Sequence, residues 1–419
     1  MSRRKMSGFP TLLRVEEALS TLLGRIDPKP PPVEYVSLDE CLGRFCGQDV
    51  CSPTDIPPFD RSAVDGYAVR AADTLGATAK TPVNLSLAGV SHAGLGREDS
   101  PRLSAGQAVE IYTGAPIPEG ADAVVMAEYV KKSGDGFVTV FRQVNPLQNV
   151  SRSGEDFREG DVVVRKGTRL RPWHVAALAS LNITRIPVYE RLRISVISTG
   201  SELVEPGQNP GEGQIINSSK PMLKSLIKEN GCLPVDLGIV EDDVEAAASR
   251  ILEGVKCSDA VIVTGGTSIG ERDVVPEAVN RVGEPGVVFH GVRTRPAKST
   301  GAGVVDGKPV FMLSGYPVSA LISFQLFVKP YIDLRYGHIS PGPCTVRGRL
   351  TRRVVNQTEA RLFVRVRLVR TQDGVLVEPL THTGSGLLST LINANGLLVI
   401  PEGVKGYDEG EEVEVLQHG

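Results

Sequence analysis

The stretch SDAVIVTGGTSIGERD, from Ser258 to Asp273, decides the fold. Its apolar run 260–263 is too short for a core helix and rich in β-branched residues, which indicates a buried parallel strand. After Thr264 comes a glycine loop made of Gly265, Gly266, Thr267, Ser268, Ile269 and Gly270. Glycines of this kind adopt positive φ and bring backbone N–H groups close to an anion, so the loop suits a phosphate. Taken alone, the stretch fits an ordinary strand-to-helix turn with solvated charges equally well.

The chain around this stretch alternates strands and helices from about Arg191 to Tyr336. Strands are predicted at 194–197, 235–240 and 260–263, and helices at 217–230, 244–252, 274–282 and 317–336. Alternating elements of this length predict an α/β fold with a three-layer, doubly wound and largely parallel sheet.

Three carboxylates follow the ends of predicted strands: Glu202, Asp242 and Asp273. Sheets of this kind bind ligands beyond the carboxyl ends of their strands, so these side chains should converge on one crevice. Converging carboxylates repel one another unless a cation lies between them, and Mg²⁺ is the natural candidate. The alternative, capping and solvated acids, is strongest for the neighbouring Asp243, which is expected to cap the helix that follows.

A basic segment, RTRPAKS, follows another predicted strand and carries Arg295 and Lys298. Its cations would offset the charge of a phosphate or an oxyanion. The local sequence fits a solvated basic loop equally well.

The flanking regions are rich in short strands and turns. Two features stand out in the first of them, although each alone is typical of an ordinary surface loop: Asp65 follows a proline-rich loop, and Thr113 ends a strand before a Gly/Pro turn. We expect a linking domain at 8–52 plus 151–188, an inserted β domain at 53–150, the α/β domain at 189–337 and a small C-terminal β domain at 338–419. The C-terminal strands are expected to be polar on one face.

Composition narrows the function classes. The 419 residues carry a formal net charge of -3, which gives no support to nucleic-acid binding. The start MSRRKMSGFP has no apolar segment typical of a signal peptide, and the most apolar stretch, 310–328, is interrupted by polar residues and proline, so no membrane span is expected. The six cysteines and six histidines show neither C-x-x-C nor H-x-x-x-H spacing, which favours a protein of the reducing cytoplasm without a zinc site.

Several motifs together resemble one family, the molybdopterin molybdenumtransferases. They are IPPFDRSAVDGYAVRAADT, YTGAPIPEGADAVVM, SGEDFREGD, STGSEL, GIVEDD, TGGTSIGERD and SGYPVSA, in the order of that family and across nearly the whole chain. The resemblance implies a molybdopterin-binding central domain and insertion of molybdate, or tungstate, into adenylated molybdopterin with release of AMP.

The resemblance also implies roles for single residues. Glu202, Asp242 and Asp273 are similar to an acidic, Mg²⁺-dependent part of the site, and Arg295 and Lys298 to a basic K-P-G-K type motif. Asp65 and Thr113 resemble positions that a partner subunit contributes across a homodimer with shared active sites. Oxyanion contacts are implied for Ser319, Arg361 and Ser385. The implied partners are a molybdopterin adenylyltransferase and molybdoenzyme apoproteins.

Two segments depart from the family pattern. The basic motif has Ala297 in place of the glycine and Ser299 in place of the second proline, and the P-G-x-P signature begins with Ser314. These departures leave the choice of oxyanion open. Two other functions also stay open: a molybdopterin adenylyltransferase, which needs only the central fold, and a non-catalytic dimeric scaffold for a partner peptide.

Overall fold

The structure, a computed structural model, describes residues 11–94, 96–267, 274–380 and 384–417. Its central sheet has six strands in the spatial order Leu233–Val240, Arg193–Thr199, Ala260–Thr264, Lys308–Leu313, Gly301–Val305 and Gly286–His290. The first four strands are parallel to one another, and Gly301–Val305 is antiparallel to both of its neighbours. The edge strand Gly286–His290 therefore runs in the same direction as the first four. The prediction of a largely parallel sheet is therefore confirmed, and the segment GAGVVDGKPVFML forms an antiparallel hairpin within it.

The inner strands Ala260–Thr264 and Lys308–Leu313 are buried on both faces, which explains why they are almost wholly apolar. Along Ala260–Thr264, residues 260 and 262 join one core cluster, whereas residues 261 and 263 join the other. Lys308–Leu313 divides in the same way, because successive side chains of a strand point to opposite faces.

Helices cover both faces, so the predicted three-layer arrangement is confirmed. One face packs against Val15–Leu23, Ser219–Glu229, Pro317–Ser323 and Lys329–Tyr336, and the other packs against Val244–Cys257 and Val274–Val282. A π-helical turn, Phe324–Val328, joins the two segments of the predicted 317–336 helix. Among the described residues, no helix is both long and apolar enough to span a bilayer.

The first helix, Val15–Leu23, packs on the central sheet, whereas the sequence placed it in the linking domain. Its buried residues Val15, Ala18 and Leu22 lie in the cluster that contains the sheet residues Ile194 and Ile262. Helical spacing shows which face of a helix is buried but not which sheet will cover it.

The linking segment is built from short antiparallel pairs around a separate small core. It comprises the pairs Val33–Ser37 with Arg185–Tyr189 and Val50–Cys51 with Val162–Val164, together with the helix Pro172–Ser180. Short 3₁₀ helices occur at Leu38–Glu40 in this segment and at Ala71–Thr74, Arg97–Asp99 and Ala127–Tyr129 in the next.

The inserted β domain contains a second six-stranded sheet. Its spatial order is Ala123–Met126, Gly66–Val69, Gln107–Ile111, Val83–Ser91, Phe137–Val140 and Val130–Ser133. A short pair, Arg61–Ser62 with Val150–Ser151, joins the two ends of the insertion.

The C-terminal strands close into a five-stranded barrel. Around the barrel the strands are Arg361–Thr371, Gly374–Pro379, Thr345–Leu350, Glu412–Gln417 and Gly396–Ile400, and the last pairs again with the first. A helix, Leu388–Asn393, and a small pair, Val354–Val355 with Gly406–Tyr407, complete this domain.

Replacing Leu22 by Ala should test whether the first helix belongs to the central core. Leu22 is fully buried there, and a Leu→Ala change in a core costs about 2–5 kcal/mol of the free energy of unfolding. Urea unfolding followed by circular dichroism measures the change. Glu17→Ala on the exposed face of the same helix is the control, and equal stability of both variants would contradict this packing.

Candidate active site

The glycine loop begins where the third and fourth strands of the sheet pair with each other. Thr264 pairs with Leu313, and the amide of Gly265 donates to the carbonyl oxygen of Leu313 at 3.1 Å. Gly265 and Gly266 have φ values of 88° and 57°, a region that side chains disfavour. A Cβ on Gly265 would also overlap the Thr199 carbonyl oxygen, and one on Gly266 would lie 2.8 Å from Thr199 Oγ1. Glycine is therefore required here both by conformation and by space.

Thr267 is the last residue of the loop that the structure describes. It is buried, its hydroxyl lies 3.5 Å from the Leu313 carbonyl oxygen, and its own carbonyl oxygen lies 3.1 Å from His290 Nε2. The predicted site residues Ser268, Gly270 and Asp273 fall outside the described residues, so their roles stay predictions.

The carboxylates of Glu202 and Asp242 both lie beside the turn Gly200-Ser201. The Ser201 amide donates to Asp242 Oδ2 at 3.4 Å, and a Cβ on Gly200 would lie 2.8 Å from Glu202 Oε2. The carboxylates of two neighbouring strand ends therefore lie against the same turn. Asp243 is different, since its side chain accepts from the Ala246 amide at 2.9 Å and caps the helix, as predicted.

A buried ion-pair group anchors the loop that follows Glu202. Lys220 is 3% exposed, and its Nζ contacts a carboxylate oxygen of Glu205 and lies 2.9 Å from Asp236 Oδ1. Burial alone would raise the pKa of Asp236, but hydrogen bonds from Lys224, the Gly238 amide and Lys220 lower it to about 2. The short parallel pair Leu203–Val204 with Ile215–Ile216 closes this loop.

The turn Ser314-Gly315-Tyr316-Pro317 lies beside the glycine loop. A Cβ on Gly315 would be 3.6 Å from the Gly265 Cα, and the Gly315 carbonyl oxygen accepts from Ser219 Oγ at 2.7 Å. The turn leads into the helix Pro317–Ser323, which contains the buried Ser319. The Val318 amide donates to the Ser385 carbonyl oxygen at 3.0 Å, so a barrel loop lies against the start of this helix. The backbone carbonyl of the predicted oxyanion residue Ser385 therefore contacts the residue that precedes Ser319, another predicted oxyanion residue.

The basic segment lies between the central domain and the barrel. Thr294–Arg295 forms a parallel pair with Arg361 and Leu362, which extends the barrel sheet by one strand. Next to this pairing is a pocket of about 180 Å³. It is lined by Arg295, Pro296, Val355, Asn356, Gln357, Leu362, Phe363, Val364 and Arg365. Arg295 and Lys298 are exposed, whereas Arg365 is 3% exposed.

Asp65 and Thr113 form a local pair on the inserted β domain. The Thr113 amide and hydroxyl both donate to Asp65 Oδ1 at 2.7 Å. These two hydrogen bonds lower the pKa of Asp65, whose carboxylate is exposed and charged at neutral pH. The geometry leaves an ionised carboxylate and a threonine side chain on one surface.

Comparison with known proteins matches most of the chain to the domains of one family. Residues 13–182 match the MoeA N-terminal region (domain I and II), residues 195–334 match a probable molybdopterin binding domain, and residues 347–418 match the MoeA C-terminal region (domain IV). A molybdopterin molybdenumtransferase of Bacillus subtilis is 35% identical over 387 residues, which is 91% of this chain and 89% of the relative. The chain belongs to the MoeA family.

Two further similarities extend the comparison. A relative from Methanocaldococcus jannaschii is 40% identical over 391 residues, which is 91% of this chain and 92% of the relative. A crystal structure of the molybdopterin biosynthesis moeA protein from Pyrococcus horikoshii OT3 has a TM-score of 0.84 and 34% identity, and covers 97% of this chain and 100% of its own. The MoeA fold therefore includes the linking, inserted and C-terminal regions of this chain as well as the central domain.

Two arginines of this MoeA chain concern the predicted oxyanion site, one that the sequence analysis named and one that it did not. Arg361, the predicted oxyanion contact, forms an ion pair with Glu16 of the first helix at 2.6 Å. Its guanidinium hydrogen bond lowers the pKa of Glu16. The sequence analysis did not single out Arg365. This arginine is unusual because it is buried, and burial lowers the pKa of its guanidinium. Its donors lie 3.2 Å from Thr390 Oγ1, 3.3 Å from the Phe363 carbonyl oxygen and 3.4 Å from the Gly384 carbonyl oxygen.

In the segment RLFVRVRLVR, Arg365 lies between two valines, which could have indicated burial. The prediction that one face of the C-terminal strands is polar instead suggested that this arginine is exposed. Residues Phe363–Arg365 are buried on both faces. Val364 faces the barrel core, whereas Phe363 packs against Ile322 and Ala297 of the central domain. The prediction of a polar face is therefore wrong where the two domains meet.

Replacing Lys220 by Met should destabilise the protein most at neutral pH. The pKa of Asp236 is lowered to about 2 in the folded protein, so this carboxylate stabilises the fold above its unfolded pKa of about 3.9 and loses that contribution as the pH falls towards 2. We expect Lys220→Met to cost about 1–3 kcal/mol at pH 7, less than a fully buried pair because both acids are partly exposed.

Urea unfolding at pH 7 and at decreasing pH measures this difference, which should shrink on acidification. The exposed Lys228 of the same helix provides the control variant Lys228→Met. A pH-independent difference would show that Lys220 contributes by packing alone.

Proposed function

We propose that this molybdate-inserting transferase of molybdenum cofactor biosynthesis acts on adenylated molybdopterin, takes molybdate or tungstate, and releases AMP in a Mg²⁺-dependent reaction. The observation that carries this proposal is the meeting of three features at one edge of the central sheet. These are the glycine loop, the carboxylates of Glu202 and Asp242, and the 314–317 turn with the barrel loop against it. The names of the relatives add support, because they include a molybdopterin molybdenumtransferase that aligns with nearly the whole chain.

The glycine loop is proposed to hold a phosphate of the substrate. Positive φ at Gly265 and Gly266 turns the chain sharply at the end of the strand. Because the Gly265 N–H is bonded to the Leu313 carbonyl oxygen, the phosphate is proposed to bind the backbone N–H groups that follow it in the loop. The N–H groups of Ser268 and Gly270 are assigned to the same role from the sequence alone. Thr267 fixes the end of the described loop through its contacts with Leu313 and His290.

Glu202 and Asp242 are the residues that would hold Mg²⁺, together with Asp273, which the sequence places in the same crevice. Carboxylate oxygens are the donors that this ion prefers, and two carboxylates around one turn fit it. The described residues, which do not include Asp273, contain no group of three potential metal ligands. Bound Mg²⁺ would neutralise charge on the phosphates during cleavage of the adenylate.

The oxyanion is proposed to bind between the central domain and the barrel. Arg295, Lys298, Ser319 and Ser385 lie on the two sides of this junction, and Arg365 adds a buried cation to the pocket beside it. Cationic and hydroxyl donors suit a tetrahedral dianion. Arg361, which forms an ion pair with Glu16, stays in the proposed site as a predicted oxyanion contact, and Arg365 is added to it.

We further propose a cytoplasmic homodimer in which Asp65 and Thr113 complete the active site of the partner. Their exposed pair carries an ionised carboxylate but lies on a separate domain. A molybdopterin adenylyltransferase would supply the substrate, and molybdoenzyme apoproteins would receive the product.

The reaction is tested by incubating the pure protein with adenylated molybdopterin, Mg²⁺ and either oxyanion under anaerobic conditions. Chromatography of AMP and of the metal-loaded pterin should show both products. Asp242→Asn should lower turnover by roughly 10²-fold or more, because charge stabilisation in the transition state is lost. Asp273→Asn should have a similar effect.

Asp243→Asn is the matched control, since it changes the next residue and keeps a helix cap. A folded Asp242→Asn protein that releases AMP at the normal rate would remove Asp242 from the reaction. A wild-type protein that binds the adenylate but never releases AMP would favour a scaffold.

Active-site sharing is tested by mixing Asp65→Ala chains with Asp242→Asn chains. If each site takes Asp65 from one chain and Asp242 from the other, a heterodimer keeps one intact site. An equal mixture should then recover roughly a quarter of wild-type activity in a two-fold symmetric dimer. Subunit exchange is verified with differently tagged chains, and exchange without any recovery would count against shared sites.

A further inference from the structure

Tyr316 is an exposed aromatic residue at the proposed substrate site. Its side chain follows Gly315 in the 314–317 turn and is 61% exposed. The tyrosines further along the same helical segment, Tyr331 and Tyr336, are fully buried and contribute to the central core. Core packing therefore accounts for those two rings but not for Tyr316.

The ring of Tyr316 is held in place from one side. A Cβ on Gly386 would lie 3.1 Å from Tyr316 Cδ1 and 3.4 Å from Cε1, so the backbone of the barrel loop packs directly on the ring. The backbone of Tyr316 is fixed as well, because its amide lies 3.3 Å from Ser314 Oγ and its carbonyl oxygen accepts from the Ala320 amide at 2.9 Å. A ring that is held on one side and otherwise exposed offers a ligand a contact surface that is already in place.

The turn that carries Tyr316 adjoins the glycine loop. Gly315 is the immediate neighbour of Tyr316, and a Cβ on Gly315 would be 3.6 Å from the Cα of Gly265. Phosphates and tetrahedral oxyanions are bound by N–H groups and cations, and an aromatic face offers them nothing. A ligand that carries a planar ring next to a phosphate would use both features at once.

We propose that Tyr316 stacks on a planar heterobicycle of the substrate while the glycine loop holds the adjoining phosphate. The proposal rests on the function proposed above, whose substrate carries two such rings, the pterin and the adenine. Stacking suits either of them, because every heterobicycle of this kind has a π-face. Tyr316 is then a binding residue that selects for the planar part of the ligand.

The test compares Tyr316→Ala, Tyr316→Phe and Tyr316→Leu with the wild-type protein. The probes are AMP, molybdopterin and adenylated molybdopterin, each titrated anaerobically in a calorimeter. Tyr316→Ala should raise the Kd for adenylated molybdopterin about tenfold, which corresponds to ~1.4 kcal/mol. Tyr316→Phe should bind as the wild type does, because it keeps the ring. Tyr316→Leu should bind as weakly as Tyr316→Ala, although it keeps apolar bulk against Gly386.

Trp173→Ala is the control, since Trp173 is an equally exposed aromatic residue on the linking segment, at 66%. It should leave all three Kd values unchanged. In turnover assays Tyr316→Ala should raise KM with little change in kcat, the pattern of lost uniform binding.

Loss of affinity for AMP alone would identify the ring as adenine, and loss for molybdopterin alone would identify it as the pterin. Either result supports stacking. Unchanged affinity of Tyr316→Ala for all three probes would overturn the proposal, and so would a Tyr316→Phe protein as weak as Tyr316→Ala, because the hydroxyl would then be the contact.

The outcome is separable from that of the proposed function. If wild-type protein releases no AMP but Tyr316→Ala still weakens binding, the stacking role stands and the catalytic proposal fails. If AMP is released normally and no variant changes affinity, the catalytic proposal stands and the stacking role fails.

Discussion

The pairing of two buried parallel strands, Ala260–Thr264 and Lys308–Leu313, positions everything that the proposed site contains. Thr264 pairs with Leu313, so the glycine loop and the 314–317 turn leave the sheet side by side. The Gly265 amide and the Thr267 hydroxyl both turn back to the Leu313 carbonyl oxygen. Because both strands are buried on both faces, a shift in their register would expose apolar side chains and bury loop residues. Core packing and site geometry therefore depend on the same register.

A second constraint is the junction between the central domain and the barrel. It combines a short parallel pairing, 294–295 with 361–362, with the hydrogen bond from the Val318 amide to Ser385. The first helix reinforces it, because Arg361 pairs with Glu16, and Arg14 lies 2.7 Å from Glu402 of the barrel. Each of these ion pairs has one exposed partner and contributes little energy by itself, but together they orient two domains whose shared surface carries the basic pocket.

The central domain contains acidic residues that stabilise the fold and acidic residues that are candidate metal ligands. Lys220 and Asp236 are held by partners on neighbouring elements and serve the fold, as the lowered pKa of Asp236 indicates. Glu202 and Asp242 instead lie against a turn at the open edge of the sheet. Among the described residues, no ion pair to Glu202 or Asp242 is found, whereas Asp236 is paired with Lys220 and Lys224. A carboxylate without such a pair is suited to bind a cation from solution.

The sequence by itself determined the alternation of strands and helices, the two-sided burial of the central strands and the position of the glycine loop. These are local properties: periodicity, β-branched content and the need for positive φ at Gly265 and Gly266 can be read from neighbouring residues. The resemblance of seven motifs to one family added the other domains, which a local reading described only as short strands.

Only the tertiary structure decided which distant residues meet. It placed the first helix on the central sheet, paired Arg361 with Glu16, and buried Arg365 between the barrel and the central domain. It also fixed Tyr316 against Gly386, more than sixty residues away in the chain. Such contacts depend on how helices and strands pack against one another. The amphipathic pattern of one segment shows which of its faces is buried, but not which other element covers that face.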